Sequence, residues 1–440
     1  MATRREFIQK SALGAAGLTL GAKSYSRILG ANDKVRVGIV GFSDRFRASL
    51  APAFLGLAKE MNFEIVAVSD LWNRRRDEAE TFFKGKGVTV RKARNNDELY
   101  SGKDTDAVII STADFQHALH LAEAVRAGQD AYCEKPFAET MSDAREALKA
   151  VQETKKIVQI GSQRRSTPNY IAANEYIRSG KFGKIVMVEM SWNVNQPGRW
   201  RRPELTGVIK ESDTDWKRFL LNRPAQAWDP RKYLEFRLFW PYSSGIPGQW
   251  MAHQIDTVHW FTGLNHPKSV AANGGIYLWN DGRTNFDTMT AVMEYGDANS
   301  AFQVVYTSRF TNSAGGTKEI YFSNGGSLNL DTNKITSEGG LQAREAKAMN
   351  LPANLLESMD LPGFKVETSA NTGSDPMTNA HMKNWMECVR DRKKPNADIM
   401  AGYNHSIANI MCTAALRTGE KASFNEAKQE VLAGGKVFQY

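Results

Sequence analysis

The sequence predicts a two-domain protein, in which a parallel α/β domain is followed by an α+β domain with a mostly antiparallel, open sheet. Its 440 residues exceed the length at which one hydrophobic core usually stops growing. In the N-terminal third, apolar strand patterns alternate with helical patterns, which is typical of βαβ units and a parallel sheet. After about residue 161, strand patterns follow one another with few helices between them, which indicates antiparallel pairing.

The N-terminal alternation starts with an apolar run from Val35 to Val40, which ends at Gly41 and precedes a helical pattern from Ala51 to Lys59. The later strand patterns are short and mostly apolar, as expected of strands buried on both faces. Further strands are predicted at 63–69, 106–111, 130–133 and 157–160, and helices at 117–127 and 142–155.

The rest of the chain contains strand patterns and one long segment that fits neither a strand nor a helix. This segment, residues 196–250, is rich in aromatic residues and arginine. Because structureless loops of this length are uncommon in compact domains, we predict that it forms a lid or wall of a functional site. Strands are predicted at 185–192, 289–295, 301–307 and 319–323, and helices at 378–391 and 404–417.

The composition is that of an ordinary globular protein. The hydrophobic share of 42% and the charged share of 24% argue against a disordered chain or a membrane bundle. Five of the basic residues behind the net charge of +9 lie in the first 31 positions and the others are dispersed, so no nucleic-acid partner is predicted. The three cysteines show no CxxC spacing, so neither a disulfide framework nor a metal site is predicted.

The first residues have the pattern of a twin-arginine export signal. Arg4 and Arg5 are followed by Phe7 and by a mildly apolar stretch, residues 12–22, that is too short to span a bilayer. We therefore expect export to the periplasm by the twin-arginine route, with no stable membrane insertion once the signal is removed. The alternative is a basic N-terminal helix on a cytosolic protein.

A glycine turn after the first strand indicates a dinucleotide site. Gly41 begins a G-x-G-x-x-G pattern whose second glycine is replaced by Ser43 and whose third is replaced by phenylalanine. Asp70 ends the second strand, where a carboxylate accepts hydrogen bonds from the adenosine ribose and repels a 2′-phosphate. This predicts NAD, although Arg74 or Arg75 could reverse the preference to NADP. The alternative is that Asp70 is only a turn residue at the end of a strand.

Two motifs at the ends of predicted strands carry a family resemblance. Thr112 and His117 enclose a four-residue turn, and Glu134-Lys135-Pro136 follows the next strand. With these motifs the sequence resembles the Gfo/Idh/MocA family of glucose-fructose oxidoreductases and inositol dehydrogenases. The likeness covers nearly all of the chain after the leader. It includes the segments 163–165, 239–242 and 250–256.

The resemblance implies a Rossmann domain that binds NAD(P), and hydride transfer between a sugar or cyclitol hydroxyl carbon and the nicotinamide. It implies that Lys135 lies beside the nicotinamide and polarises the reacting hydroxyl. It assigns His253 as the general base, with Asp256 on the same helix face. The implied cofactor contacts are Gly41, Ser43, Asp70, Thr112, His117, Glu134, Lys135 and Gln163, and the implied substrate contacts are Arg164, Tyr242, Gln249 and Trp250.

The leader and the change of pattern after about residue 161 set the expected domain limits. These are a signal peptide over 1–31, a Rossmann domain over 32–162, and a substrate and oligomerisation domain over 163–440. In this family a wide sheet of the second domain commonly forms the dimer face, so a homo-oligomer is expected. One position departs from the family pattern: Gln249 lies where an aspartate is common, so an anchor for the substrate or for His253 is missing.

Two other functions stay open on the sequence alone. One is a glycosidase that retains NAD, oxidises the sugar transiently, eliminates the aglycone and reduces the product again. The family's glycosidase branch alters the Glu134-Lys135-Pro136 motif, so its preservation here favours a dehydrogenase. The other is a carbohydrate-binding member without catalytic activity.

Several side chains have two interpretations. Arg199 and Arg201 could recognise an acidic sugar or lie on the surface. Asp256 with His259 could hold a metal, but packing on a helix face is the favoured interpretation. Four tryptophans could stack on sugar faces or fill a core. They are Trp192, Trp200, Trp240 and Trp250.

Overall fold

The computed structural model describes residues 33–352, 354–363 and 375–439, so the predicted leader lies outside the described residues. The N-terminal part forms a six-stranded parallel sheet with the order β3-β2-β1-β4-β5-β6. This is the strand order of a Rossmann domain, and it confirms the predicted fold class. The strands are β1 (Val35–Val40), β2 (Phe63–Ser69), β3 (Arg91–Ala93), β4 (Ala107–Ile110), β5 (Asp130–Cys133) and β6 (Val158–Ile160).

The central strands of this sheet are apolar along their whole length because helices cover both faces. β1 and β4 are almost completely buried. Polar caps fix where helices begin; the side chain of Thr140, for example, accepts a hydrogen bond from the backbone N–H of Asp143. The helices are Ala51–Met61, Asn73–Lys84, Asn96–Ser101, His117–Arg126 and Met141–Thr154.

The second sheet has eleven strands in the order β14-β13-β12-β11-β7-β10-β9-β8-β15-β16-β17. β7 and β10 run parallel, and the other described pairs of this sheet are antiparallel, which confirms the predicted second fold. The strands are β7 (Ile185–Asn193), β8 (Ser269–Gly275), β9 (Thr288–Tyr295), β10 (Phe302–Arg309), β11 (Thr317–Ser323), β12 (Gly326–Asn329), β13 (Lys334–Thr336), β14 (Met359–Asp360), β15 (Ala422–Asn425), β16 (Glu430–Ala433) and β17 (Lys436–Val437).

One face of the second sheet packs against two helices, Ala252–Thr262 and Ile399–Thr418. Met289 and Met293 of β9 are buried on this side, whereas Thr290, which points to the other face, is exposed. The helix Ile399–Thr418 is buried along most of its length. The sheet therefore fixes the position of the helix that carries the predicted catalytic histidine.

The helix Pro376–Asp391 returns to the first domain. Its Trp385 is completely buried and packs against Phe63 and Tyr132, with ring centroids 6.1 and 6.0 Å away. The predicted limit at residue 162 assigns this helix to the second domain. Its buried side chains, however, pack in the hydrophobic core of the Rossmann domain. An apolar stripe reveals that a helix is buried but not which element covers it.

The segment 196–250 folds into short helices around an aromatic cluster that it shares with the first domain. Nε2 of Gln116 donates to the backbone carbonyl of Phe219 at 2.7 Å, and Arg202 forms an ion pair with Asp44 at 3.2 Å. The segment is thus fixed against the carboxyl edge of the Rossmann sheet. Its helices are Pro203–Thr206, Trp216–Leu220 and Pro230–Leu234, and two further helices of the chain are Pro168–Arg178 and Ala343–Ala348. None of the described helices combines the length and hydropathy needed to cross a membrane.

Candidate active site

A cleft opens at the carboxyl edge of the first sheet, where dinucleotides bind in Rossmann domains. The segment 196–250 forms the opposite wall, with Tyr233 and Arg237 facing the cleft. Four residues predicted to contact the cofactor line the first-domain wall. They are Gly41, Ser43, Asp70 and Thr112.

The turn at Gly41 requires glycine. Its φ is +85°, and a Cβ atom added there would lie 2.7 Å from Cγ2 of Thr112. Without a side chain, the turn lets a ligand approach the backbone closely. Ser43 caps the same turn, because its Oγ accepts a hydrogen bond from the backbone N–H of Phe46 at 3.2 Å. Phe46 is itself buried, so capping and core packing explain why two glycines of the pattern are replaced.

Asp70 holds the glycine turn against the end of β2. Its two oxygens accept hydrogen bonds from the backbone N–H groups of Phe42 at 2.8 Å and Trp72 at 2.9 Å. Burial raises the pKa of Asp70, while these two hydrogen bonds act to lower it. Arg75 is ion-paired with Asp44 at 3.0 Å. The charge of this arginine is therefore already balanced by a carboxylate, without the 2′-phosphate of NADP.

Lys135 follows β5 and points toward the second domain. Its peptide bond to Pro136 is cis. Its Nζ donates a hydrogen bond to the backbone carbonyl of Gln249 at 2.5 Å. Burial lowers the pKa of Lys135 to about 7, although the carboxylates of Glu134 and Asp114 act to raise it. A lysine with this pKa can release and regain a proton near neutral pH, as an acid or base must.

Glu134 and Gln163 share one network with Arg45, next to Lys135. Glu134 is buried and forms an ion pair with Arg45 at 3.0 Å. Burial acts to raise the pKa of Glu134, but the charges of Arg45 and Lys135 outweigh it and lower that pKa. The side-chain amide of Gln163 donates to the carbonyl of Gly161 at 2.7 Å and accepts from Arg45. These two predicted cofactor residues therefore support the lysine from one side.

His117 joins the two motifs of the first domain. Its Nδ1 is hydrogen-bonded to the carbonyl oxygen of Pro136 at 2.7 Å, and its Nε2 lies 3.2 Å from the carbonyl oxygen of Thr112. Burial lowers the pKa of His117. The ring lies behind the cleft wall, where it holds the turn at Thr112 against the Lys135-Pro136 segment.

His253 lies at the beginning of the helix Ala252–Thr262, one turn after Gln249. Its ring contacts Trp192, with centroids 5.6 Å apart, and neither ring nitrogen has a hydrogen-bond partner among the described residues. Burial lowers the pKa of His253 well below its usual value, and the charge of Lys135 lowers it further. The imidazole is therefore neutral, which is the form that accepts a proton. Lys135 and His253 are close enough for their charges to interact.

Asp256 binds an arginine instead of contacting His253. Its buried carboxylate accepts two hydrogen bonds from Arg165, at 2.8 and 2.9 Å. This bidentate pair fixes the helix that carries His253, so Asp256 acts in the structure as a positioning residue. His259 is hydrogen-bonded to the hydroxyl of Tyr295 at 2.9 Å. Within the described ranges, no group of three or more His, Cys, Asp or Glu could hold a metal ion.

The predicted substrate residues do not all meet at one place. Trp250 stacks on Trp192 with ring centroids 5.9 Å apart and an interplanar angle of 9°. Arg164 also contacts the Trp192 ring, at 5.8 Å, and forms an ion pair with the buried Glu319. Tyr242 is 2% exposed and belongs to the aromatic cluster of the opposite cleft wall. Trp192 therefore links two of the predicted substrate residues to His253, whereas Tyr242 is packed apart from them.

The comparison with known families identifies the first domain. Residues 35–162 match the sequence model of the Gfo/Idh/MocA oxidoreductase family, which describes an NAD-binding Rossmann fold. Residues 35–162 are thus similar to the NAD-binding domain of this family. The predicted resemblance and the predicted NAD cofactor of this domain are thereby confirmed.

Curated relatives match the chain over part of their length. An inositol 2-dehydrogenase of Salmonella typhimurium is 26% identical over 241 residues, which are 54% of this chain and 66% of that protein. A 1,5-anhydro-D-fructose reductase of Ensifer adhaerens is 34% identical over 153 residues, 32% of this chain and 44% of that protein. The matched region thus spans 66% of the length of the first relative and 44% of the length of the second.

Solved structures share the whole two-domain fold. The WlbA dehydrogenase of Bordetella pertussis, in complex with NADH and UDP-GlcNAcA, has a TM-score of 0.61 at 15% identity and covers 90% of this chain and 99% of its own. An oxidoreductase of Agrobacterium radiobacter, in complex with NAD+, L-tartaric acid and magnesium, has a TM-score of 0.61 at 14% identity, covering 89% and 98%. At these identities the likeness establishes the fold alone.

Gln249 lies where the resemblance leads us to expect an aspartate, and another residue supplies a carboxylate beside it. The buried Asp114 accepts hydrogen bonds from the side chains of Gln249 and Ser243, both at 2.6 Å. Arg237 donates to Oε1 of Gln249 at 2.9 Å and lies 3.5 Å from Asp114. Sequence reasoning missed Asp114 and Arg237. The signal for Asp114 was its place inside the first motif, whereas nothing in the sequence distinguishes Arg237 from the other arginines of its segment.

Proposed function

We propose that this protein is an NAD-dependent oxidoreductase that transfers a hydride between a hydroxyl-bearing carbon of a sugar or cyclitol and the nicotinamide. One observation carries the proposal: Lys135, with a pKa near 7, binds the turn that precedes the neutral His253. A proton donor and a proton acceptor thus lie together beside the NAD-binding domain. The names of the relatives, inositol 2-dehydrogenase and 1,5-anhydro-D-fructose reductase, support the substrate class.

The residues of the cleft fit NAD. The open turn at Gly41 would receive the pyrophosphate, and Asp70 lies where the adenosine ribose hydroxyls are bound in such domains. Arg75, already held by Asp44 at 3.0 Å, would have to give up its partner to bind a 2′-phosphate, which favours NAD over NADP. When bound, NAD supplies the carbon that accepts or donates the hydride.

The side chains of this chain would move the proton. His253 has a neutral ring whose nitrogens have no hydrogen-bond partner in the described part of the chain, and it takes the proton of the substrate hydroxyl as hydride leaves the adjacent carbon. Lys135 polarises the same oxygen, and in the reverse direction the protonated His253 returns the proton. Gln249, held by Asp114 and Arg237, fixes the carbonyl to which the lysine is bound.

Purified full-length protein tests the proposal by incubation with NAD and a panel of sugars and cyclitols. We expect NADH to form with at least one of them, and the rate to fall at least about 100-fold in Lys135→Ala and in His253→Ala. Lys149→Gln, which removes an exposed lysine, is the control and should match the wild type. Failure to bind NAD would overturn the proposal, and so would release of an aglycone from glycosides without net NADH.

The proposed location is the periplasm, reached by the twin-arginine route. The support is the pairing of Arg4 and Arg5 ahead of a short, mildly apolar stretch. Replacement of both arginines by lysine should keep an expressed protein in the cytoplasm, as cell fractionation would measure. Equal export of both forms would contradict this route.

The proposed assembly is a homo-oligomer formed through the second sheet. Its outer face carries exposed apolar side chains, among them Val292 of β9, which is 36% exposed. Light scattering on the full-length protein should give a mass above that of one chain, and Val292→Asp should reduce it. A monomer at micromolar concentration would contradict the proposal.

A further inference from the structure

Four polar residues form a hydrogen-bonded cluster in the wall of the cofactor cleft. Oγ of Ser69 donates to Oδ1 of Asn96 at 2.9 Å, which orients the amide so that its Nδ2 faces His120 and Glu123. This Nδ2 donates to Oε2 of Glu123 at 3.0 Å, and Nδ1 of His120 lies 3.0 Å from the same oxygen. All four residues line the same cleft as Asp70, and we call them the Asn96 cluster.

The carboxylate of Glu123 is ionised, and one of its two oxygens is left for a ligand. Burial acts to raise the pKa of Glu123, but the hydrogen bonds of His120 and Asn96 and the charge of Arg218 outweigh burial and lower that pKa. Oε2 takes both contacts of the cluster, whereas Oε1 has no hydrogen-bond partner in the part of the chain that the structure describes. The side chain is 44% exposed, so Oε1 can accept a hydrogen bond from a molecule in the cleft.

The strand order places the Asn96 cluster beside the adenosine end of the dinucleotide. β2 lies between β1 and β3, and Asn96 lies shortly after the end of β3. A dinucleotide that runs from Gly41 at the end of β1 to Asp70 at the end of β2 therefore points its base toward Asn96. The helix Asn96–Ser101 is capped by Asn95, so the side chain of Asn96 is not needed to begin that helix.

The segment 196–250 covers the same part of the cleft. Arg218 forms an ion pair with Asp97 at 2.8 Å, directly beside Asn96 in the chain, and it lines the cleft together with Phe219. The segment thus shields the cluster from part of the solvent. A hydrogen bond to Glu123 is stronger there than on an open surface.

We infer that Glu123 accepts a hydrogen bond from the 6-amino group of the adenine of NAD, and that it thereby makes the cleft selective for adenine dinucleotides. The inference rests on the proposed function, in which NAD is the cofactor. Adenine carries a hydrogen-bond donor at position 6, whereas guanine and hypoxanthine carry an acceptor oxygen there. An ionised carboxylate binds the donor and repels the oxygen. Asn96 and His120 bind Oε2, so Oε1 is left for the base.

Calorimetric titration of the full-length protein, stripped of bound cofactor, tests the inference with NAD and with nicotinamide hypoxanthine dinucleotide. The second dinucleotide has an oxygen in place of the 6-amino group. We expect the wild type to bind NAD about tenfold tighter than this analogue. In Glu123→Gln the two affinities should agree within about threefold, because an amide can accept from the amino group or donate to the oxygen. Glu153→Gln, which removes an exposed carboxylate, is the matched control and should keep the full preference.

Two outcomes would overturn the inference. One is equal affinity of the wild type for the two dinucleotides, and the other is an unchanged preference in Glu123→Gln, even if that variant binds both more weakly. If the preference depends on Glu123 but no NADH forms with any sugar or cyclitol, the inference stands and the proposed function fails. If NADH forms but the two dinucleotides bind equally, the proposed function stands and the inference fails.

Discussion

The ammonium of Lys135 reaches from the Rossmann domain to the backbone carbonyl of Gln249 in the second domain, 2.5 Å away. Gln249 lies one turn before His253, so this bond fixes the NAD-binding domain relative to the predicted base. The bond also holds the lysine where burial lowers its pKa to about 7. Burial disfavours the charged form of Lys135. A lysine that is buried for the sake of function should therefore reduce the free energy of unfolding.

Lys135→Met is expected to raise the stability of the protein at neutral pH while it abolishes activity. The pKa of Lys135 is lowered to about 7 by burial, whereas an unfolded lysine titrates near ~10.4. Between these two values the unfolded state binds more protons than the folded state. The stability of the wild type therefore rises with pH across this window, and the destabilisation by Lys135 is largest below it.

Thermal unfolding of both proteins between about pH 6 and about pH 10 checks this prediction. We expect Lys135→Met to melt higher than the wild type at the acidic end, and the difference to shrink toward the alkaline end. Lys149→Gln, which is exposed, should show no such trend. A difference between Lys135→Met and the wild type that stays constant with pH would contradict the prediction.

Asp114→Asn is expected to lower kcat/KM by about 10-fold to 100-fold. The carboxylate accepts hydrogen bonds from Gln249 and Ser243 at one oxygen and faces Arg237. An amide removes the charge and one acceptor, so the Gln249 turn that binds Lys135 loosens. Steady-state kinetics of Asp114→Asn, Gln249→Ala and the double variant measure the effect. Because the two residues act as one unit, the double variant should lose less than the product of the single losses.

Asp297→Asn on an exposed turn is the control for Asp114→Asn and should leave the kinetics unchanged. Multiplicative losses in the double variant would show that Asp114 and Gln249 act separately. The free energy of unfolding of Asp114→Asn should fall by about 1–3 kcal/mol, because a buried hydrogen-bonded group loses partners.

Five of the six strands of the Rossmann sheet could be predicted because strands buried on both faces appear as apolar runs, whereas the short edge strand β3 was not predicted. β2 and β5 have the predicted limits, Phe63–Ser69 and Asp130–Cys133. The helix Asn73–Lys84 could not be predicted, since only Ala79 and Phe83 on it are buried and most of the rest is charged. A helix with so narrow an apolar stripe gives little periodic signal.

The candidate site could be predicted only as far as local motifs extend. Lys135 and His253 lie in segments that resemble a known family. The groups that orient them, Asp114 and Arg237, belong to a network of contacts between residues more than a hundred positions apart in the chain. Such contacts depend on how helices and sheets pack, which neither residue spacing nor periodicity contains.

Trp385→Ala is expected to lower the free energy of unfolding by about 3–5 kcal/mol. The indole is completely buried between Phe63 and Tyr132 of the Rossmann sheet, although the helix that carries it lies late in the chain. Truncation leaves a cavity in the core of the NAD-binding domain. Chemical denaturation measures the loss, and Met400→Ala at an exposed helix position is the control. A change below about 1 kcal/mol would contradict the assignment of this helix to the first core.

Gly41→Ala is expected to weaken NAD binding by at least about tenfold, as calorimetric titration would measure. The added methyl would lie 2.7 Å from Cγ2 of Thr112, and a φ of +85° is unfavourable for alanine, so the turn must shift away from the pyrophosphate. Gly56→Ala is the matched control, because no atom lies within 4 Å of the added Cβ and alanine favours its helix. Thr112→Ser in the Gly41→Ala protein removes the clashing methyl. Partial recovery of affinity would identify the clash as one cause, and unchanged affinity in Gly41→Ala itself would show that this turn does not hold the cofactor.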